Sequence, residues 1–473
     1  MGDVIQWGGR NDVIIVMSDL HLADSNSLSI GDHHYNHNLP PEVYRAFFNE
    51  ISEFIRNDNI KDIDLVLAGD IFEVTRSALW RKDELRPYAH NDDVTEGSAL
   101  EGRILEILRA ISADSRVSVT LEIFQNLMRQ FHRPVRIHFI PGNHDRLLNS
   151  SQRVRTLTRS LLGIEDSDLP FDNQFLLPTN GKTRLLVRHG HEYDPANFGE
   201  DLSQWSEIPT IIGKSYYDRP CFGDIVTTEI AAKLPIIFKE TYHEDRIIED
   251  ADLSAMFQRL IDFDNVRPTN ALINFLFSTP GLSMQEVWRL IEPVFVRMLD
   301  ELSFIPEIGR LIVEFGGLKG FSAASLLAFL KIRLWRGGLP FWFFRTILTP
   351  VSRQSTIGDI SKHILKEACI YDEASPVRCI VCGHTHNPMV QLLRVEKGIE
   401  TYYINSGTFR NVITATPNLR DFGRLRSKAR VLLFKQGEQN PEYNRNTGWS
   451  FDFTARHGFG AMPPKKNGLP HFD

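Results

Sequence analysis

The chain has 473 residues, of which 42% are hydrophobic and 24% are charged, and its formal net charge is −7 at pH 7. This balance excludes a globally disordered chain and argues against a nucleic-acid-binding protein with an overall basic surface. Four cysteines are too few for a disulfide scaffold of this length, and the N-terminal sequence MGDVIQWGGRND has neither the basic nor the apolar region of a signal peptide. No uncharged segment is long and apolar enough to cross a membrane. We therefore expect a cytoplasmic protein with reduced cysteines.

Six short apolar or β-branched runs predict β-strands, and each is closely followed by a segment that is polar or that contains glycine or histidine. The runs are 13–17, 64–68, 136–140, 184–188, 377–381 and 401–404, and the segments after them read SDLHLAD, GDIFE, PGNHDR, HGHEYD, GHTH and NSGTFRN. Apolar residues at helical spacing in Pro41–Asn57 predict a crossover helix between the first two strands. The predicted fold class is α/β, with function gathered at the strand ends.

Two stretches interrupt the alternation of strands and helices. Residues 73–133 predict a helical elaboration, and residues 196–375 predict a large helical insertion that could serve as a lid over the site. The core is therefore divided into residues 1–195 and 376–434. Residues 435–473 are rich in proline, glycine and asparagine, which predicts an irregular C-terminal tail.

The segments after the strands contain side chains that are typical metal ligands. Asp19 and His21 are two residues apart, as are His384 and His386, so an extended backbone would direct both members of each pair to one side. The full set of donors is Asp19, His21, Asp70, Asn143, His189, His384 and His386. Imidazole, carboxylate and amide donors suit two divalent transition metals, and seven donors leave positions open for water and substrate.

In this order, the motifs D-x-H, G-D, G-N-H-D, H-G-H and G-H-x-H resemble those of the calcineurin-like metallophosphoesterase superfamily. The resemblance covers roughly the first 195 residues and residues 376–434. It implies a β-sandwich flanked by helices, with two divalent metal ions, for which we expect Mn²⁺ before iron, zinc or magnesium. It also implies hydrolysis of a phosphoester or pyrophosphate bond by attack of a metal-bound hydroxide.

The resemblance also implies a role for each residue of the motifs. The first metal would be held by Asp19, His21 and His386, the second by Asn143, His189 and His384, and Asp70 would bridge the two. His144 would act at the leaving oxygen, and the carboxylate of Asp145 would orient its ring.

Several residues near the motifs have two interpretations. Arg146 and Arg410 could clamp a phosphate or be ordinary surface residues, and His191 is interpreted as a substrate contact beside the ligand His189. Cys379 and Cys382 lie in an apolar strand and are predicted to face opposite sides of a sheet. The histidines in the sequence GDHHYNHN, which are His33, His34 and His37, are predicted to lie in a solvated loop.

The substrate must be inferred from features outside the metal motifs. SDLHLAD and GDIFEV are most similar to the UDP-2,3-diacylglucosamine pyrophosphatase branch, which implies a phosphorylated small-molecule or amphiphilic substrate. Residues 326–348 interleave basic and aromatic residues, which indicates either peripheral membrane contact or a buried helix pair. A metal-dependent nuclease acting on DNA or RNA and a non-catalytic scaffold of the same fold remain the alternatives. The acidic net charge argues against the first, and the complete ligand set argues against the second.

Overall fold

A computed structural model describes residues 11–24, 27, 29–31, 33–34, 37–56, 60–179, 183–267, 271–302, 357–372, 377–397, 399–434, 450–459, 465–466 and 469–470. The strands in these ranges are β1 Asn11–Met17, β2 Ser29–Ile30, β3 His33–His34, β4 Ile60–Ala68, β5 Val135–Ile140, β6 Phe175–Thr179, β7 Thr183–Val187, β8 Val266–Arg267, β9 Val377–Cys382, β10 Met389–Glu396, β11 Ile399–Asn405, β12 Asn411–Ala415, β13 Phe422–Phe434, β14 Ser450–Phe459, β15 Lys465–Lys466 and β16 Leu469–Pro470. All six strands predicted from the sequence are present.

The helices of the described ranges flank these strands. They are α1 Pro41–Phe54, α2 Ala99–Ala113, α3 Ser115–Gln125, α4 Leu127–Phe131, α5 Gln152–Leu162, α6 Lys214–Tyr217, α7 Phe222–Ile225, α8 Lys233–Tyr242, α9 Glu244–Glu249, α10 Ala251–Asp262, α11 Leu272–Phe277, α12 Met284–Leu302 and α13 Ile357–Ile364. Helix α1 begins with proline, whose missing N–H is not needed in the first turn, and it buries Tyr44, Phe47, Phe48 and Ile51 on one face. It is the predicted crossover between the parallel strands β1 and β4.

The strands form two larger sheets. The first has seven strands in the order β5-β4-β1-β13-β12-β8, with β14 also paired to β13, and the second has five in the order β10-β11-β9-β7-β6. In the first sheet, β1, β4 and β5 are parallel, so their carboxyl ends lie at the same edge. In the second sheet, β7, β9 and β11 are likewise parallel.

The two sheets pack face to face, and helices cover their outer faces. The shared core contains Val16 and Val66 from the first sheet and Val187 and Val381 from the second. Strand neighbours of these residues point the other way, because successive side chains alternate across a strand. The outer face of the first sheet packs on α1, α2 and α3, and that of the second on residues 193–217 and 364–370. The chain is therefore an α/β sandwich flanked by helices, as the sequence predicted.

The insertion builds a separate helical core. Residues of α8, α10 and α12 form an apolar cluster that also includes Ile30 and Tyr88 from the first part of the chain. The insertion also contributes the short strand β8, which pairs with β12 in the first sheet. The sequence did not indicate this strand, because two residues are too short for a recognisable alternation. As a result, Arg267 is placed close to the metal motifs.

The prediction of an irregular tail is wrong for residues 450–459. These residues form β14, which pairs with β13 in an antiparallel register from Leu425↔Phe459 to Phe434↔Ser450. Phe451 and Phe453 pack against the core between the sheets. Small and polar residues obscure the alternation of apolar side chains in this segment. Pairing with the long strand β13 stabilises β14 as a strand, and composition does not predict that pairing.

The sequence predicts possible membrane contact at residues 326–348 and no membrane-spanning segment. The segment 326–348 lies outside the described residues, so membrane contact there stays a prediction. Across the helices that the structure does describe, none combines the length and the apolar character needed to span a bilayer.

Candidate metal centre

The predicted ligands follow five strands at nearly the same distance from each strand end. Asp19, Asp70 and His189 are each two residues past the end of β1, β4 and β7, and His384 is two residues past β9. Asn143 is three residues past β5. Since β1, β4 and β5 are parallel, as are β7 and β9, the sandwich brings these loops together at one end. Three groups of ligand-type side chains result, each with its ligand atoms within 4.8 Å of one another.

Five of the predicted ligands have a left-handed backbone. The φ angles are 55° at Asp19, 47° at His21, 54° at Asp70, 67° at His384 and 58° at His386. Residues with a Cβ atom adopt this region rarely and at a cost of about 1 to 3 kcal/mol each. Such strain persists only where the surrounding structure imposes it, and its concentration on ligand-type residues indicates a functional site.

Two glycines allow the loops to approach one another. A Cβ atom on Gly142 would overlap the carboxylate of Asp70, and a Cβ atom on Gly383 would overlap the carboxylate of Asp19. The backbone N–H of His384 instead donates to the Asp19 carboxylate at 2.9 Å, and that of His144 donates to Asp70 at 2.9 Å. The glycines in G-N-H-D and G-H-x-H are therefore required by packing between loops.

The first group consists of Asp19, His21 and His386. Nε2 of His21 lies 3.0 Å from Nε2 of His386, and Nε2 of His386 lies 3.2 Å from Oδ1 of Asp19. All three side chains are buried. The other ring nitrogen of His21, Nδ1, is 2.8 Å from the Glu73 carboxylate, so Nε2 is the nitrogen that His21 presents to a metal.

The second group consists of Asp70, His189 and His384. Nδ1 of His189 donates to the carbonyl of Ala68 at 2.8 Å, which leaves Nε2 as the ligand atom. This Nε2 lies 3.1 Å from Oδ2 of Asp70 and 3.2 Å from Oδ1 of Asn143. The predicted ligand Asn143 therefore belongs to this group.

Asp70 lies between the two groups. The same Oδ2 that contacts His189 is 3.7 Å from Nε2 of His21 in the first group. Burial by itself would raise the pKa of Asp70, but the charges of His189 and His144 hold this pKa well below its usual range. In turn, burial would lower the pKa of His189, whereas the Asp70 carboxylate raises it to about 10. A strongly anionic Asp70 is suited to a position between two cations.

Glu73 is a site residue that the sequence interpretation missed. Its Oε2 is 2.8 Å from Nδ1 of His21 and its Oε1 is 2.8 Å from Nδ1 of His144, while the hydroxyl of Thr75 donates to Oε1 at 2.9 Å. Burial alone would raise the pKa of Glu73, but Arg76 and His144 hold it well below the usual range. The residue is the last of the GDIFE motif, so its position in that motif was the available signal.

The predicted role of Asp145 is wrong. Its carboxylate does not contact His144 but accepts the backbone N–H groups of Gly142, Ile71 and Phe72, at 2.5, 2.7 and 3.3 Å. Asp145 thus joins the loop after β5 to the loop after β4. Neighbouring residues in a tight turn point in different directions, which is why sequence adjacency did not predict the contact.

A second carboxylate was also missed. Asp194 accepts a hydrogen bond from Nε2 of His384 at 3.1 Å, and this leaves Nδ1 of His384 as the nitrogen available to a metal. Asp194 is the last residue of the HGHEYD segment, in which only the histidines were interpreted. Carboxylates that fix the rings of ligand histidines are a usual accompaniment of metal sites.

The structure supports neither interpretation of Arg146, as a phosphate clamp or as an ordinary surface residue. Its guanidinium is buried and donates to Oδ1 of Asn91 at 2.7 Å and to the carbonyls of Asp218, Pro87 and Ala89. These bonds use Nη1 and Nη2 within the protein, whereas Nε is buried without a partner among the described residues. Arg146 therefore joins the 87–91 loop to residues near α7.

His191 and Arg410 lie close to the ligands, as predicted for substrate contacts. The ring of His191 is 5.2 Å from that of His189 between centroids, and burial lowers the pKa of His191 to about 4. Arg410 lies 4.0 Å from Glu73. Whether either contacts substrate stays a prediction.

The solvated-loop prediction is wrong for His37, because its Nδ1 lies 3.3 Å from Nη2 of Arg410 and its Nε2 is buried. His33 and His34 form the short strand β3.

The cysteine prediction is confirmed. Cys379 lies in the core between the two sheets, whereas Cys382 lies in the core on the outer face of the second sheet. Both are buried and unbridged, and burial raises the pKa of Cys379. These cysteines are structural.

The donor set fits two divalent cations. Four imidazoles, two carboxylates and one amide oxygen converge, and Asp70 offers an oxygen to both groups. Three of the histidines have their other ring nitrogen fixed by a carboxylate or a carbonyl. Borderline transition metals prefer such mixed nitrogen and oxygen ligands.

Fold and site together define an α/β sandwich with groups of side chains at one end that could hold metal ions. The sequence model described as calcineurin-like phosphoesterase matches residues 13–224. Over those residues the chain is therefore similar to the metallophosphoesterase superfamily, and this likeness together with the candidate ligand groups supports a metal-dependent phosphoesterase. A search of curated proteins finds no match, so similarity to the UDP-2,3-diacylglucosamine pyrophosphatase branch stays a prediction.

Proposed function

We propose that this protein hydrolyses a phosphoester or phosphoanhydride bond by using two divalent metal ions, with Mn²⁺ as the expected metal. The observation that supports this most strongly is the position of Asp70. One of its carboxylate oxygens is within 3.7 Å of His21 in the first ligand group and within 3.1 Å of His189 in the second. A carboxylate placed in this way could hold two metal ions close together, which is what a two-metal mechanism requires.

The proposed reaction needs an activated water molecule, neutralisation of the phosphoryl oxygens and a general acid. Two bound cations would lower the pKa of a water molecule and neutralise the phosphoryl oxygens. His144 is the general acid of the proposal, because it lies next to His21 at 4.9 Å between ring centroids. It belongs only to the third group, with His21 and Glu73, and not to the groups of Asp19 and Asp70. Glu73 and Thr75 hold its Nδ1, which leaves Nε2 for the leaving oxygen.

The substrate class is tested with a panel. Purified protein loaded with Mn²⁺ is assayed against a phosphomonoester, a phosphodiester, a nucleoside diphosphate sugar and single-stranded DNA. Hydrolysis of the diphosphate sugar or a small ester in preference to DNA supports the proposal. A strong preference for DNA would instead support the nuclease alternative, and no hydrolysis of any substrate would support the scaffold alternative.

The site assignment is tested with Asp70→Asn. This change removes the shared charge with little change of volume, so we expect fewer than two Mn²⁺ ions per chain and loss of most activity. The matched control is Asp92→Asn, because Asp92 is 83% exposed and lies outside the site. Two bound ions together with normal turnover in Asp70→Asn would show that the site is assigned wrongly.

A further inference from the structure

The first part of the insertion packs against the loops that carry the metal motifs. Oδ2 of Asp224 accepts a hydrogen bond from Nη2 of Arg146, which directly follows the G-N-H-D motif, at 3.3 Å. Further along the insertion, Oε1 of Glu229 accepts from Nε of Arg86 at 2.7 Å. Polar contacts therefore fix residues 224–229 to the part of the chain that precedes the insertion.

Part of this segment is a π-helix. It spans Val226–Ala231, and the backbone N–H of Ala232 donates to the carbonyl of Thr227 at 2.9 Å. π-helices are rare, and single turns of them occur frequently at functional sites. The hydroxyl of Thr228 in this turn is buried and donates to the carbonyl of Thr75 at 3.1 Å. The π-helix therefore contacts the loop that follows the GDIFE motif.

The hydroxyl of Thr75 belongs to the hydrogen bonds around the ring of His144. It donates to Oε1 of Glu73 at 2.9 Å and lies 3.0 Å from Nδ1 of His144, which is itself 2.8 Å from the same Oε1. A hydroxyl can accept one hydrogen bond while it donates another, so Thr75 can share the hydrogen of Nδ1 with the carboxylate. Thr75 therefore helps to hold Nδ1, the ring nitrogen opposite the one that the proposed function assigns to the leaving oxygen.

The backbone of this loop is held by two side-chain donors. Nε1 of Trp80 donates to the carbonyl of Val74 at 2.8 Å, and the hydroxyl of Thr228 donates to the next carbonyl, that of Thr75. Threonine is β-branched and its χ1 angle is restricted, so a fixed backbone also fixes the direction of its hydroxyl. Trp80 belongs to the same loop, whereas Thr228 belongs to the insertion. The insertion therefore contributes to the placement of the Thr75 hydroxyl.

We propose that Thr75 and Thr228 are positioning residues, through which the first part of the insertion holds the imidazole of His144 in place for the leaving oxygen. This inference rests on the proposed function, which makes His144 the general acid. Thr228 lies just beyond residues 13–224, so the contact comes from outside the part of the chain that matches the family model. A general acid acts only within hydrogen-bond distance of the atom that it protonates, so a small displacement of its ring lowers turnover.

The kinetic test uses Thr228→Val, which removes the hydroxyl with little change of volume. We expect kcat on an alkyl phosphodiester to fall about tenfold, with KM and metal content close to those of the wild type. The loss on a nitrophenyl phosphodiester should be smaller, because that leaving group needs less help from an acid. Thr228→Ser keeps the hydroxyl and should restore both rates.

The matched control is Thr227→Val. Thr227 lies in the same turn, and its hydroxyl forms no hydrogen bond with the residues that the structure describes. This substitution makes the same chemical change beside Thr228, so we expect unchanged rates on both esters. Thr75→Val should show the same dependence on the leaving group as Thr228→Val and a larger loss, because Thr75 contacts His144 directly.

A spectroscopic measurement tests the same contacts without turnover. The proton on Nδ1 of His144 is observed by NMR in protein loaded with Zn²⁺, which is diamagnetic, and it is assigned by its absence in His144→Gln. Thr75→Val and Thr228→Val should each shift this resonance, whereas Thr227→Val should not. Thermal unfolding shows whether each variant is folded, and an alanine variant replaces any valine variant that is not.

The outcomes separate this inference from the proposed function. Equal losses on the two esters, a loss no larger than that of Thr227→Val, failure of Thr228→Ser to restore the rates, or an unshifted resonance would each overturn the inference. Hydrolysis by the wild type with one of these results contradicts the inference alone. If the wild type hydrolyses none of the four substrates, the proposed function fails, and the resonance alone decides whether Thr228 positions His144.

Discussion

Glu73 occupies a central position among the side chains of the site. One carboxylate oxygen contacts the predicted ligand His21 and the other contacts the proposed acid His144, each at 2.8 Å. The side chain is 2% exposed, so water does not weaken these contacts. A single charge therefore orients both a metal ligand and the group at the leaving oxygen.

We predict that Glu73→Gln lowers kcat/KM roughly 10- to 100-fold, which is the usual cost of losing a carboxylate that orients a metal-bound histidine. Glutamine keeps the volume but removes the charge that holds His21 and His144. Steady-state kinetics and metal analysis at limiting Mn²⁺ measure the effect. The control is Glu106→Gln on α2, which is 43% exposed. Unchanged kinetics in Glu73→Gln would contradict this account.

We predict that His144→Ala lowers kcat while both metal ions are retained, because His144 acts at the leaving oxygen. General acids contribute roughly 10²- to 10⁴-fold, and the contribution is largest for poor leaving groups. The variant should therefore lose more activity on an alkyl phosphodiester than on a nitrophenyl phosphodiester. Equal losses on the two substrates, or loss of metal, would show that His144 has a different role.

A buried ion pair connects a strand of the second sheet to the end of the insertion. Arg188, directly after β7, pairs with Glu367, just after α13, at 3.0 Å with both side chains fully buried. The hydroxyl of Tyr193 donates to the same carboxylate at 2.7 Å. The Arg188–Glu367 pair joins the end of the insertion to a strand that precedes a ligand, His189.

We predict that Glu367→Ala lowers the free energy of unfolding by about 3 to 5 kcal/mol, because Arg188 would be left as a buried charge without its carboxylate. Denaturant unfolding measures the change. The control is Lys82→Ala, which removes the pair Lys82–Glu106, whose members are 53% and 43% exposed. Exposed pairs contribute at most about 1 kcal/mol. Equal effects of the two substitutions would argue against a structural role for the buried pair.

In the described part of the chain, several elements converge on one end of the sandwich. Parallel strands of both sheets deliver ligand loops to that end, and the insertion returns Arg267 to it through β8. The five left-handed ligand residues add strain at the same place. Metal binding should therefore contribute to the stability of the folded chain, since a ligand that binds only the folded state stabilises it.

We predict that Mn²⁺ raises the melting temperature and that a chelator lowers it. At a free metal concentration of about one hundred times Kd, one site contributes about 2.7 kcal/mol. Thermal unfolding followed by circular dichroism measures the shift. In Asp70→Asn the shift should be much smaller, because that variant lacks the shared ligand. An equal shift in the variant would indicate that Mn²⁺ acts elsewhere on the protein.

Much of the architecture was predictable from local sequence. The six predicted strands, the crossover helix α1 and the helices α10 and α12 of the predicted helical insertion are all present, because each depends on a periodicity within one segment. Strand β14 was missed because it is stabilised by pairing with β13, which its own sequence does not reveal. Strand β8 was missed for the same reason, because its two residues are held by pairing with β12.

The sequence by itself determined which residues are candidates for the site, because ligand-type side chains after strand ends form recognisable motifs. Only the tertiary structure decided what each of them touches. Asp145 accepts backbone N–H groups, Nη1 and Nη2 of Arg146 bond within the protein, and Glu73 orients His144. Arg267 reaches the site from 119 residues before His386. Side-chain direction in tight turns and contacts between distant segments depend on how the loops pack against one another, and neither leaves a signal in residue spacing.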